Sequence, residues 1–474
     1  MNLLSNKRNF LLLIIFFVIG FFVRFYNLNF HDYWWDEMLS FWIEKPNLSY
    51  EETLYRRNLT DETSILYHFI LKIYYQLAGY DSEIGRYVSL FFGLLSLPLL
   101  AILSYKVKPN QSYILAFVLI SINSYLISYS QENRHYAYIF VLSITNLIFF
   151  YNIFFSEKLE SNKILNNVFF IFFSILCLSA QPFTSIILFS QIIFVSYHHV
   201  ILKRENYSFF VSAFIILSIY FLLNYDFVIN HLISKEDHFV KQVEWIFLYD
   251  LFFSRFFGSK IMGGIYLLIL LFLIIKFYKE IFFAQNSYLF LLIILIFSYL
   301  APFIYSLLFI PILFDRYIIY VLIPIIILIS VLIFEIKNNK IRNALIIFLI
   351  ISSFTNLFFK TVDNKKTKPD FREVLNYIKE KDSGISKITL IKSSDVNNLS
   401  LEIVENYITS LKVFKKNKFS LYKMNDLPDT TNYIWTICYK PFVGFDCQIS
   451  KNNWISEDVL KLHLIEAQFF KIKN

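Results

Sequence analysis

Apolar runs about as long as a bilayer is thick recur along this chain, and no other feature constrains its fold as strongly. About 20 helical residues cross the ~30 Å hydrocarbon layer at 1.5 Å per residue. Lipid offers no partners to backbone N–H and C=O groups, so an unbroken apolar run must bond them within itself as a helix. The runs fall at about 10–25, 86–105, 112–130, 135–155, 164–181, 183–202, 207–224, 261–278, 287–306, 317–335 and 342–359. They predict a polytopic α-helical membrane protein with about 11 transmembrane helices (10–13). Composition agrees: 57% of residues are hydrophobic and 17% are charged, against about 25% charged in soluble domains. The first run follows Lys7 and Arg8 without a small-residue cleavage site, so it reads as a retained anchor.

The charges between the runs predict an orientation. Short connections on the amino-terminal side carry Lys7, Arg8, Lys106, Lys108, Lys158, Lys163, Lys203, Arg204, Lys276, Lys279, Lys337, Lys340 and Arg342. Those on the opposite side carry only Arg134 and Arg316. By the positive-inside rule the amino terminus is cytoplasmic, in the plasma membrane, and an odd number of spans puts the tail outside. The net charge of +8 is thus topogenic, and no nucleic-acid partner is expected. Residues 1–359 form the membrane domain, with a first external loop at 26–85 that holds an amphipathic segment at about 64–78. Residues 360–474 turn polar and predict a small extracytoplasmic α/β domain, with strands at 387–393, 411–416 and 433–439 and a helix at 369–380. Cys177 lies in an apolar run, whereas Cys438 and Cys447 share the tail and can pair if it is extracytoplasmic.

This sorting gathers the polar groups on one face. The stretch HDYWWDEMLSFW at 31–42 sets Asp36 and Glu37 directly after Trp34 and Trp35, aromatic side chains suited to the headgroup level. The two carboxylates are either a solvated loop beside an aromatic belt, or a general base or ligand for a divalent cation. Arg134 in QENRHY either pairs with Glu132 or clamps a phosphate, and Arg316, beside Asp315 and Tyr317, poses the same choice. Asp61, Glu62 and Gln181 lie on the same side, as do His31, His68 and His135. The chain has no HExxH, CxxC, GxGxxG, GxxxxGK[ST] or GxSxG. An activated substrate at this face would therefore arrive through the bilayer, on a lipid.

Five pieces of the sequence carry a family resemblance: RFYNLNFHDYWWDEMLSFW (24–42), ILYHFILKIYYQLAGYDSEIGRYVSLFFGLLSLPLL (65–100), YSQENRHYAYIFVLS (129–143), DRYIIYVLIP (315–324) and KPDFREVLNYIKE (368–380). In this order they resemble the GT-C polytopic glycosyltransferases that use polyprenyl- or dolichyl-phosphate sugars, the protein mannosyltransferases and the aminoarabinose transferase of lipid A among them. The resemblance implies a catalytic carboxylate at Asp36 with Glu37 beside it, and donor-phosphate contacts from Arg134, Arg316 and Tyr317. Sugar or acceptor contacts are expected among Trp34, Trp35, Asp61, Glu62, Tyr67, His68, Tyr136 and Gln181. One departure stands out, since many relatives carry His-Pro-Pro-Leu-Tyr-Tyr where this chain has Glu62-Thr63-Ser64-Ile65-Leu66-Tyr67. It bears on acceptor choice and on metal use. The implied activity is inverting transfer of a monosaccharide from a polyprenyl phosphate to a hydroxyl of a lipid, glycan or protein. It needs either no cofactor or a divalent cation (Mg²⁺ or Mn²⁺). The alternatives are a polysaccharide polymerase or a flippase or exporter of lipid-linked sugars; a transporter would show mid-span charges and repeated halves, which are not seen.

Overall fold

The computed structural model describes residues 7–60, 64–155, 163–201, 203, 206–225, 245, 248, 255–284, 286–309, 311–362, 366–381, 388–392, 398–414, 419–422, 433–440 and 454–472. Among these residues, eight helical segments are long and apolar enough to cross a membrane. Five are single helices of the first half and the end of the chain: α1 (Lys7–Phe25), α5 (Arg86–Val107), α8 (Tyr136–Phe154), α9 (Lys163–Ala180) and α15 (Asn339–Val362). The others are α10 (Ser185–Val200) with the short turn before it, α13 (Asn286–Leu308), and α14 (Leu322–Phe334) with the 3-10 turn Asp315–Val321 before it. A ninth span is broken into α6 (Ser112–Ser121) and α7 (Ser124–Ser130), which meet at 57°. The remaining two expected spans are α11 (Tyr207–Leu223) and α12 (Lys260–Lys276). Each has 17 residues and so reaches about 26 Å, somewhat short of the ~30 Å hydrocarbon layer.

The core forms around α14. Its sequence LIPIIILISVLIF is apolar on every side, and every residue from Leu322 to Ile333 is buried, as an all-round apolar helix requires. α6, α12, α13 and α15 pack around it. α1, α11 and α15 instead leave large apolar side chains such as Phe22, Phe214 and Phe358 exposed, which suits contact with lipid.

The break between α6 and α7 is built by polar groups. Arg24, wholly buried near the end of α1, donates to the carbonyls of Ser121 (2.8 Å) and Ile120 (3.1 Å) at the end of α6, and to Gly20 (3.1 Å). Those carbonyls carry the negative end of the helix dipole and have no partners within α6. The Asn123 side chain accepts from the Leu126 N–H, capping α7, and donates to the Phe256 carbonyl. A Cβ at Gly93 would collide with Ser130, so glycine lets α5 lie against α7. The bend aims α7 at the loop 131–135.

The loop from α1 to α5 folds into α2 (Trp35–Ile43), α3 (Tyr50–Thr60) and α4 (Ile65–Ala78). α4 is the expected amphipathic helix, and its inner side is polar as well as apolar. Lys72 is buried and donates to the Lys45 and Leu48 carbonyls and to Thr53 Oγ1. His68 Nδ1 bonds to the buried Glu44 carboxylate. The tail carries a five-stranded sheet of order β2-β1-β3-β5-β4, from β1 (Ile388–Lys392), β2 (Leu421–Tyr422), β3 (Tyr433–Tyr439), β4 (Trp454–Leu462) and β5 (Ile465–Ile472). β1 runs parallel to β2 and β3, and the β4–β5 hairpin adds antiparallel to β3. The helix expected at 369–380 is α16 (Phe371–Lys381), which buries Phe371, Val374, Leu375 and Ile378. The strand expected at 411–416 does not form over its described part. Leu411 and Lys412 instead close the last turn of α17 (Asn398–Ser410), with Lys412 at φ 57°. Cys438 is buried in β3 and disulfide-bonded, while Cys447, the expected partner, lies outside the described residues.

The tail is fastened to the α1–α5 loop. The Tyr407 ring stacks on Tyr33 at 5.2 Å, and its hydroxyl accepts from the Tyr33 N–H at 2.8 Å. Glu402 accepts from Trp42 Nε1, and Asn406 donates to the Tyr80 hydroxyl.

If Arg24 supports the broken span, Arg24→Met should cost about 1.5 to 3 kcal/mol, the range for a hydrogen bond to a charged group. Equilibrium unfolding in mixed micelles reads this directly. An unchanged midpoint would mean that the break stands without its cap.

Candidate active site

α2 opens with its two carboxylates in the first turn, where the helix dipole favours negative charge. Consecutive helical residues point about 100° apart, and these two go to different places. Glu37 turns inward and is fully buried. Arg86, the first residue of α5, grips it with Nε to Oε1 at 2.8 Å and Nη2 to Oε2 at 3.0 Å. The Asn133 N–H adds 2.8 Å to Oε1, and Lys368 Nζ adds 2.9 Å to Oε2. Each oxygen thus accepts two bonds, which fills the capacity of a carboxylate. Burial alone would push the Glu37 carboxyl up, but the charges of Arg86 and Lys368 and the bonds it accepts bring it down to about 2. Arg86 also donates to the carbonyls of Leu28, His31 and Asp32, which shapes the approach to α2.

Asp36 turns the other way and is one-fifth exposed. Its Oδ2 lies 3.1 Å from Arg316 Nη1. The Arg316 guanidinium sits in an aromatic frame, 5.2 Å from the rings of Trp34 and Phe314, 5.7 Å from Tyr317 and 5.9 Å from Tyr136. Its Nε and the Trp34 indole N–H are buried without a hydrogen-bond partner. They are donors awaiting an acceptor.

The remaining expected residues divide. Arg134 lies behind α2, donating to the Asp36 carbonyl (3.2 Å) and to Ser40 Oγ (3.0 Å), so it holds the helix that carries Asp36. Tyr67 bonds to Ser89 Oγ, which donates to the Arg134 carbonyl. Tyr67 and His68 therefore belong to a buried polar layer beneath α2. Trp35 is half-buried against the core. Tyr136 opens α8, with its ring between Arg134 and Arg316. Tyr317 packs on Phe183 at 5.5 Å. Gln181 is buried and closes α9, and no described contact joins it to Asp36. Asp61 and Glu62 lie outside the described residues.

Several residues at the site were not singled out from the sequence. Arg86 is one, and Lys368, between α15 and α16, is another. Lys368 pairs with Glu132 at 3.0 Å as well as with Glu37, and lies 5.7 Å from the Trp34 ring. Asp32 is buried, accepts from the Arg372 N–H at 2.7 Å and pairs with its side chain at 3.1 Å. Its carboxyl is pushed up to about 6, chiefly by burial. Tyr439 of β3 accepts from the Trp35 N–H, and its hydroxyl is pushed up to about 12 by burial and by the charge of Asp36. Burial, then Lys368 and Arg86, push His31 down to about 4, so it is neutral at pH 7. Asp32, Arg86 and Lys368 each lie in a piece that carries the family resemblance, at 24–42, 65–100 and 368–380, but nothing in those pieces showed which residue each would meet; Tyr439 had no such signal. Among the described residues, no three His, Cys, Asp or Glu side chains gather as metal ligands would.

No protein-family model and no curated protein matches the sequence. In fold the chain is similar to the crystal structure of ArnT from Cupriavidus metallidurans bound to undecaprenyl phosphate, with a TM-score of 0.57 at 10% identity over 90% of this chain and 92% of that one. It is also similar to the Archaeoglobus fulgidus oligosaccharyltransferase in complex with Zn and sulfate. There the TM-score is 0.52 at 11% identity, over 90% of this chain and 67% of the other. The likeness is one of fold, shared with both structures over 90% of this chain.

The unequal settings of the two carboxylates make a testable contrast. Glu37→Gln strands the buried Arg86 charge and should cost about 3 to 5 kcal/mol. Asp36→Asn should stay within about 1 kcal/mol, as partly exposed pairs do. Because the Glu37 pKa is depressed, its stabilisation is fully present above the unfolded value of about 4.3 and is lost as pH falls toward the folded value. Denaturant titration of both variants at neutral pH, and of the parent down to pH 3 or so, measures each claim. Equal losses in the two variants would refute the division of roles.

Proposed function

We propose that this protein transfers a monosaccharide from a polyprenyl-phosphate donor to a hydroxyl acceptor at the non-cytoplasmic face of the membrane. The observation that carries the reading is the Asp36–Arg316 pair inside its aromatic frame, at the loop end of a GT-C fold. Asp36 is the general base. As the acceptor oxygen attacks the anomeric carbon, its proton passes to Asp36, and the bond from that carbon to the phosphate oxygen breaks. Polyprenyl phosphate leaves with the electron pair. A single displacement inverts the anomeric centre.

Arg316 meets the phosphate. A guanidinium offers forked donors suited to phosphate oxygens, and its Nε is already without a partner. A phosphate at Arg316 competes with Asp36 for the same cation, so donor binding releases the carboxylate to face the acceptor. Arg134 acts through the Asp36 backbone rather than on the substrate. An apolar cleft of ≈ 280 Å³, lined by Pro182, Phe183, Ala301, Pro302 and Tyr305, adjoins Tyr317 through Phe183 and suits an isoprenoid chain. ArnT, of the same fold, is described bound to undecaprenyl phosphate.

The decisive experiment begins with the lipids of a deletion strain, where the unused polyprenyl-phosphate sugar should accumulate. With that lipid as donor, Asp36→Asn should bind normally and turn over at least about a hundredfold more slowly, the scale of positioned general-base catalysis. Arg316→Lys keeps the charge but loses the fork, and should weaken both binding and turnover. An Asp36→Asn enzyme within about threefold of wild type would remove the carboxylate from the chemistry.

Orientation has its own test. An impermeant maleimide on intact cells should label a cysteine placed at the exposed Lys461 of the tail, and not one at Lys340. The reverse pattern would turn the molecule over and put the site in the cytosol.

A further inference from the structure

Lys368 occupies an unusual position for a residue of the tail. Its Nζ lies 2.9 Å from Glu37 Oε2 and 3.0 Å from Glu132 Oε1. The Glu37 side chain is fully buried and that of Glu132 is 14% exposed. Two carboxylates brought this close in a poorly solvated setting repel each other unless a cation stands between them. Arg86 neutralises one, and its guanidinium is spent on Glu37 and backbone carbonyls. The second negative charge is answered by Lys368. Among the described residues, the second oxygen of Glu132 is buried without a hydrogen-bond partner.

The segment bearing Lys368 is fastened on both sides. Before it, Lys366 pairs with Asp370 and lies 5.7 Å from the Phe30 ring. After it, Asp370 caps α16 through the Glu373 N–H, and Arg372 binds Asp32 by backbone and side chain. The ammonium is therefore delivered to a fixed point. An ammonium is a compact point charge with several donors, and in a two-carboxylate setting it can take the position of a small hard cation.

We propose that Lys368 is the resident cation of this site. It stands between Glu37 and Glu132 where the pair would otherwise take a divalent ion, and through it the tail becomes a working part of the site rather than a cover. Lys368 is a positioning residue: it keeps the floor beneath Asp36 and Trp34 electrically balanced. The inference takes the proposed active site as its place, but its test reads neither donor nor turnover. Failure here leaves the Asp36→Asn experiment standing, and the converse holds.

The probe is Mn²⁺ with purified full-length protein in detergent, followed by loss of the electron paramagnetic resonance signal of the free aqueous ion. Wild type should bind no stoichiometric Mn²⁺. Lys368→Ala should acquire one site per chain, at least about tenfold tighter than any binding by wild type, and Glu132→Gln in that background should abolish it. Because Lys368→Ala can also unfold the protein, a charge-balanced pair supplies the second measurement. Lys368→Met should lower the unfolding midpoint, and adding Glu132→Gln should raise it again, a coupling that lost packing would not produce. A wild-type protein that binds one Mn²⁺ through Glu132 would overturn the proposal. So would a folded Lys368→Ala variant that binds none, or a double variant no more stable than Lys368→Met.

Discussion

The ion pair between Arg86 and Glu37 organises everything around the site. Taking both charges out of water carries a penalty of several kcal/mol per ion, which the pair's mutual attraction repays only when the geometry is good and the other donors and acceptors are met. Here they are met. Glu37 accepts two bonds at each oxygen, and Arg86 spends its remaining donors on three backbone carbonyls. Arg86, at the head of α5, reaches the segment before α2, while Glu37 receives the loop after α7 and the strap before α16. Parts of the chain that are 49, 96 and 331 residues from Glu37 meet at a single carboxylate. If that carboxylate is lost, no other described contact holds all four together.

The neighbouring residue shows what this rigidity is for. Asp36 shares the helix turn with Glu37, and Arg134 and Arg86 restrain the backbone on either side of it. Its side chain is left with one ionic partner, and that partner is itself partly exposed. In the proposed reaction Asp36 is the base, which must be held within tenths of an ångström yet keep its lone pairs open for a proton. Placing the structural carboxylate next in sequence meets both needs, because one helical step turns Glu37 to the interior while Asp36 stays one-fifth exposed.

Much of the fold was legible from the chain. Apolar length found eight helical segments long enough to cross a membrane, since lipid forbids unsatisfied backbone, and the residues of HDYWWDEMLSFW and DRYIIYVLIP pointed to the face where Asp36 and Arg316 meet. Two kinds of information were not legible. The first is long-range pairing: Arg86 and Arg24 look like flanking charges at the ends of apolar runs, and only the folded chain shows that one answers Glu37 and the other caps the break after α6. The second is the direction of a side chain. Arg134 and Arg316 read alike as boundary arginines, yet one binds Ser40 and the Asp36 carbonyl behind α2 and the other pairs with the Asp36 side chain. In the tail, α16 had a clear period-3.6 pattern, and β3 was a short, nearly continuous apolar run, as a strand buried on both faces gives. The segment at 411–414 was apolar enough for a strand but was claimed by the closing turn of α17.

The two ion pairs at the site differ in a way that bears on reactivity. Glu37–Arg86 is sealed from solvent, and separating it would leave the buried Arg86 charge unanswered, so it does not exchange. Asp36–Arg316 is one-fifth exposed on each side, and water can replace either partner at a cost of about 1 kcal/mol or less. A phosphate brings more negative charge and more acceptor oxygens than one carboxylate, and charge-assisted bonds to a guanidinium are among the stronger hydrogen bonds. An anion of that kind would therefore win Arg316 from Asp36 while leaving Glu37 untouched. In the proposed reaction the fixed pair would keep the helix in register during the exchange, and the exchangeable pair would tie release of the base to arrival of the anion. Neither pair could serve the other's purpose: a sealed Asp36 would have no access to a proton, and an exposed Glu37 would let the loops drift apart.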